Sequence, residues 1–167
     1  MTDFENRLQG IRLLAIDPSS RLLGWAILFG YRLGDYGVFN AGKHPYHLRA
    51  AAIIKYLSKV AAKNKVNEVA CERAFQAPER NTAALQVVVK SIERWAIDEK
   101  LLVVRYSPGE WKRTVCGNWM ASKQEVAWFM HLWYPELPVD CSDNITDAIG
   151  VAQHHLGLRK LELMEQT

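Results

Sequence analysis

Carboxylates close two apolar runs in this chain, and two more are spaced to share a helix face. "LLAIDPSS" ends its run on Asp17, and "NEVACERAF" ends its run on Glu72. In "DCSDNITDAIGVAQHH", Asp143 and Asp147 are four apart, which puts them on one face of a helix. Taken singly, most of these acids have ordinary explanations. Asp-Pro-Ser-Ser is good turn chemistry, because Pro18 fixes φ and short polar side chains bond nearby backbone. Asp143 suits an N-cap or first-turn position. Asp147 is less easily dismissed, since it directly precedes the apolar "AIGVA", and a carboxylate at a core edge needs a partner.

Two strands that each end in an acid can be neighbours in a sheet, and their carboxylates then repel unless a cation or a proton lies between them. A divalent metal is the simplest such cation. Asp17, Glu72, Asp143 and Asp147 offer hard oxygen ligands, a set suited to Mg²⁺ or Mn²⁺ and unsuited to zinc. The usual work of such a site is phosphoryl-transfer chemistry with two ions about 4 Å apart.

The elements needed to position these acids can be read from periodicity. Apolar or alternating runs at 11–17, 23–30 and 33–39 predict a three-stranded antiparallel meander. Residues 47–63 keep helical spacing, "NEVACE" reads as a short strand, residues 81–98 as a second helix and "LLVVRY" as a buried strand. Shorter helices are expected at 109–115 and 122–132, and a last one at 143–159. The pattern predicts a mixed α/β fold, with parallel strands added to the meander by crossover helices. The second helix is apolar over more than one stripe, with Ala84, Val87 and Ser91 flanking the main row. Deeper burial and self-association both account for that surplus.

At 167 residues, about half apolar and just under a quarter charged, the chain reads as a single globular domain spanning 1–167. Its N-terminus is acidic and polar where a signal peptide would be basic and then apolar, so a cytosolic protein is expected. Cys71, Cys116 and Cys141 show no CxxC spacing and imply neither disulfides nor zinc. A net charge of +3 is compatible with nucleic acid without arguing for it. The lysines from Lys55 to Lys65 read as a solvated helix face, and Trp111, Trp119, Trp128 and Trp133 mainly as packing residues, with Trp119 the one suited to a DNA-facing loop. His154 and His155 read as core-edge or surface residues, although His155 shares a face with Asp147.

Four stretches together resemble the RuvC Holliday-junction resolvases of the RNase H-like superfamily. "LLAIDPSSRLLGWAI" resembles the family's first-strand motif, in which IDPG leads to Gly-Tyr or Gly-Trp. "CERAF" followed by "NTAAL" resembles the second motif, "SPGEWKRTVCGNWMASKQEV" the basic stretch, and "DNITDAIGVAQHH" the terminal helix. The likeness runs from Ile11 to His155 in the family's order. It implies an RNase H-like mixed five-stranded sheet flanked by helices and a crossover junction endodeoxyribonuclease. On this resemblance Asp17, Glu72 and Asp147 match metal-binding catalytic acids, and Lys112 and Lys123 match basic residues near the scissile phosphate. Phe75 matches an aromatic that wedges or stacks at the junction, and Arg73 and Arg80 flank it as DNA-binding residues.

Two positions depart from the family pattern. Ser19 stands where a glycine is usual, which requires a turn without positive φ there. The fourth acid is expected three residues before Asp147, where this chain has Asn144, so Asp143 is the substitute catalytic and metal-binding acid, with Asn144 as a neutral alternative. The implied enzyme uses Mg²⁺, with Mn²⁺ able to replace it. It acts on four-way junction DNA as a homodimer and makes paired symmetric nicks. The alternatives are an RNase H-like nuclease for other branched DNA, RNA or RNA–DNA hybrids, and an inactive junction-binding module.

Overall fold

Leu13, Leu14, Ala15 and Ile16 are all fully buried, which a strand achieves only in the middle of a sheet covered on both faces. The computed structural model describes residues 3–19, 21–73 and 82–166. Its strands are β1 (Arg12–Asp17), β2 (Leu22–Phe29), β3 (Arg32–Asn40), β4 (Glu68–Glu72) and β5 (Leu102–Tyr106). They form one sheet in the order β3-β2-β1-β4-β5. β2 pairs antiparallel with β1 and β3, whereas β4 pairs parallel with β1 and β5, so the central strand joins the meander to the parallel half. This is the mixed five-stranded arrangement expected.

The helices are α1 (Asp3–Gln9), α2 (Tyr46–Asn64), α3 (Thr82–Asp98), α4 (Pro108–Cys116), α5 (Lys123–Trp133) and α6 (Asp143–Glu165). Alternation along the strands sorts them into two layers. Leu14, Ile16, Val69 and Cys71 share one core with Ile53 and Leu57 of α2 and Ile92 of α3. Leu13, Ala15 and Ala70 share the other with Trp111 of α4, Met130 of α5 and Ile149 of α6.

α4 and α5 begin alike, each with a capping box. Ser107 and Glu110 satisfy each other's backbone at the start of α4, and Ser122 and Glu125 do so at α5.

Three expectations change at this level. α1 was not anticipated, and α6 continues past residue 159 to Glu165 because Leu163 is still buried. Trp119, Trp128 and Trp133 are exposed instead of packed, since they lie on the loop after α4 and on the outward side of α5. Lys55, Lys59 and Lys63 do lie on the solvated face of α2, with Lys63 2.7 Å from Asp35. Among the described residues, no helix is long and apolar enough to cross a membrane.

Candidate active site

Ile16 is the register partner of Cys71, so the next residue of each strand, Asp17 and Glu72, comes side by side at the C-terminal ends of the two strands. Side-chain alternation turns both toward the α6 layer, since Ala15 and Ala70, two residues back on each strand, belong to that core. α6 lies across this face and contributes Asp147 from its second turn. The three acids feel one another's charge, Asp17 that of Glu72 and Asp147, and Glu72 that of Asp147.

The register of α6 against β4 follows from two rises. Eight helical residues span about 12 Å, and four strand residues about 13 Å. Asp147 therefore lies by Glu72, while His155, eight residues on, reaches Glu68, four residues back. His155 Nε2 is 2.7 Å from Glu68 Oε2, and its Nδ1 is 2.8 Å from the Tyr106 hydroxyl. His155 thus shares the face of Asp147 and lies at the other end of the strand, buried. His154 is buried too, 2.9 Å from Thr114 Oγ1.

A glycine allows this approach. Gly24 pairs with Asp17 across β1 and β2, and a Cβ there would lie 2.0 Å from the backbone oxygen of Asn144. The first turn of α6 thus rests on bare backbone opposite Asp17. A glycine inside a strand is the sequence signal for such a close approach. Ser19 also fits its turn: the only described non-glycine residues with positive φ are Lys65 and Lys100, and Ser19 Oγ accepts from the amides of Arg21 and Leu22, each at 3.2 Å.

Burial drives the electrostatics. Desolvation, then the charges of Glu72 and Asp147, pushes Asp17 well above the ordinary carboxylate range, against the pull of Lys123 and Lys112. Burial pushes Glu72 up to about 7, Asp147 adding to it while a hydrogen bond from Trp111 and the charge of Lys112 oppose. Asp147 is raised to about 6 by burial, against Lys112 and Lys123. Lys112 Nζ donates to the carbonyl of Ala121 at 3.0 Å, and Lys123 Nζ lies 3.1 Å from Asp143 Oδ2. Arg73 is exposed beside the start of α4, where its charge bears on Glu110. Phe75 and Arg80 lie outside the described residues.

Residues 13–155 match the family model of the crossover junction endodeoxyribonuclease RuvC. The chain belongs to the RuvC family. The RuvC of Oleidesulfovibrio alaskensis is 31% identical, over 92% of this chain and 95% of that protein. The RuvC of Akkermansia muciniphila is 30% identical, over 87% and 90% of the two chains. In fold, the chain resembles T. thermophilus RuvC in complex with Holliday junction substrate, with a TM-score of 0.80 and 19% identity over 92% of this chain and 97% of that one. It also resembles the yeast mitochondrial Holliday junction resolvase, with a TM-score of 0.66 and 12% identity over 96% and 87%. RuvC proteins are divalent-metal-dependent nucleases.

The donor chemistry of this site fits such an ion. Asp17, Glu72, Asp143 and Asp147 offer hard carboxylate oxygens, and a divalent cation would relieve the burial and mutual repulsion that hold Asp17, Glu72 and Asp147 toward their neutral forms. Their spacing is not closed around an ion. Among the described residues, no three His, Cys, Asp or Glu side chains are gathered tightly enough to hold one, and Glu72 and Asp143 are engaged by Trp111 and Lys123.

Proposed function

We propose that this RuvC-family chain is a single-domain, metal-dependent endonuclease that resolves four-way DNA junctions by paired, symmetric nicks. One observation carries the reading: adjacent parallel strands deliver Asp17 and Glu72 side by side, and α6 sets Asp147 against them. Asp17, Glu72 and Asp147 would hold Mg²⁺, or Mn²⁺ in its place, and Asp143 is the fourth ligand. When bound, the divalent cations supply charge stabilisation for in-line displacement at phosphorus.

The charges of Lys112 and Lys123 act on Asp17 and Asp147, which supports a role for both in holding the scissile phosphate. Arg73, Phe75 and Arg80 follow Glu72 in sequence and match the family's DNA-binding stretch, so all three would contact the junction. Contacts of this kind position the backbone and weaken with salt. The substrate assignment is supported by the name that the curated relatives share, crossover junction endodeoxyribonuclease.

Two symmetric nicks require two sites related by a two-fold axis, which a homodimer provides. The face between α2 and α3 is the candidate interface. A groove there, of about 640 Å³, is lined by Ile54, Val87, Ser91 and Trp95 and rimmed by charged residues.

The test is cleavage of a synthetic four-way junction against duplex, single strand and an RNA–DNA hybrid, in Mg²⁺, Mn²⁺ and EDTA, with wild type and Asp17→Asn. Metal-dependent nicks in opposite strands at the junction, lost in Asp17→Asn, are expected. Cleavage of the hybrid instead would move the substrate assignment elsewhere in the superfamily. Junction binding without cleavage in either metal would make the chain a binding module.

A further inference from the structure

We propose that Trp111 is a positioning residue for Glu72: its buried indole N–H fixes the carboxylate so that one oxygen is committed to the protein and the other is presented to the metal. This rests on the reading of Glu72 as a metal ligand. Trp111 Nε1 donates to Glu72 Oε2 at 2.7 Å, and the ring is wholly buried. An indole N–H donates and cannot accept, so it takes one site on one carboxylate oxygen and leaves Oε1 unbonded by this donor.

Burial alone does not create such a bond in this protein. Trp25 and Trp95 are also buried, and their indole N–H groups have no partner among the described residues. The chain also makes room for Trp111 in a particular way. Gly150 stands in the interior of α6, where glycine is a poor helix former, and a Cβ there would come within 2.6 Å of Trp111 Cζ3 and 2.9 Å of Cε3. Gly150 lies one turn beyond Asp147 on the same helix, so the ring is wedged between the elements that carry two of the three acids. The Lys112 ammonium lies 5.6 Å from the ring centroid. Trp111 thus touches Glu72, the helix of Asp147 and one of the two lysines. An outer residue that orients a ligand in this way typically controls metal affinity or activity by about 10- to 100-fold.

The experiment compares Trp111→Phe, Trp25→Phe and Glu72→Gln with wild type. Mn²⁺ binding is measured by the loss of the free-ion EPR signal, alongside kcat and KM on a four-way junction. Trp111→Phe keeps an aromatic ring and loses the donor, so Mn²⁺ affinity should fall about tenfold. kcat should drop while the KM for junction is unchanged, and Trp25→Phe should bind Mn²⁺ as wild type does. Wild-type Mn²⁺ affinity in Trp111→Phe, with binding lost in Glu72→Gln, overturns the role of Trp111 and leaves the site reading intact. Undiminished Mn²⁺ binding in Glu72→Gln overturns both. Should Trp111→Phe fail to fold, the indole ¹H–¹⁵N resonances of wild type and Glu72→Gln decide. One resonance shifted by the substitution and by Mg²⁺ supports the proposal, and none shifted overturns it.

Discussion

Asp17, Glu72 and Asp147 are held in surroundings that favour their neutral forms, and this links the candidate site to stability. A carboxyl whose folded pKa lies above its unfolded value stabilises the fold fully below the unfolded value and loses that contribution as pH rises through the folded one. For Glu72 the window runs from about 4.5 to about 7. The metal-free protein should therefore melt at progressively lower temperature between pH 5 and pH 8, and Mg²⁺ should reverse the loss. Asp17→Asn removes one repelling charge. It should abolish cleavage while raising the Tm of the metal-free protein at pH 8 by on the order of 5 °C, read by calorimetry. Protons and metal compete for the same oxygens, so the Mg²⁺ concentration for half-maximal cleavage should fall roughly three- to tenfold from pH 6 to pH 7.5. A flat dependence would show that these acids do not bind the ion. Asp17 and Glu72 were legible in the sequence because each interrupts an apolar run at its end. The bond from Trp111 to Glu72 was not, because nothing local relates residues 72 and 111 before the chain folds.

At the scale of elements, the site depends on how closely α6 settles on the sheet. Gly24→Ala would put a methyl group where the Asn144 carbonyl now lies, and the two nearest atoms it would meet are backbone, so α6 must lift. A cost of about 3 kcal/mol is expected, at the upper end of ordinary overpacking, with cleavage falling more than stability requires. Urea unfolding and junction cleavage on the same preparation separate the two effects. Ser122→Ala should cost about 1 kcal/mol by removing the cap of α5, the helix that begins with Lys123. Most elements were visible in periodicity alone, since β1, β4 and the apolar rows of α2 and α3 read directly as runs and stripes. α1 was not, because seven mostly polar residues carry too short a pattern. The far end of α6 was missed because "LRKLELME" puts Leu163 among charges, and only docking shows that it is buried.

For the whole molecule, one sheet serves two cores, and the candidate site lies where its central strands meet the α6 layer. The face of α3 away from the site is the proposed self-association surface. Val87→Glu should convert the proposed dimer to a monomer by light scattering and replace paired nicks with single ones, at a stability cost of about 1–2 kcal/mol because Val87 also packs against the core. The acids come from residues 17, 72 and 147, and the last arrives only on α6. On the ribosome, the emerging chain therefore carries Asp17 and Glu72 well before it has Asp147, and until α6 docks, the sheet face beside those two acids lacks its main cover. On the proposed ligand set, a fragment that stops ahead of α6 carries Asp17 and Glu72 without Asp147, and it should leave four-way junctions uncut.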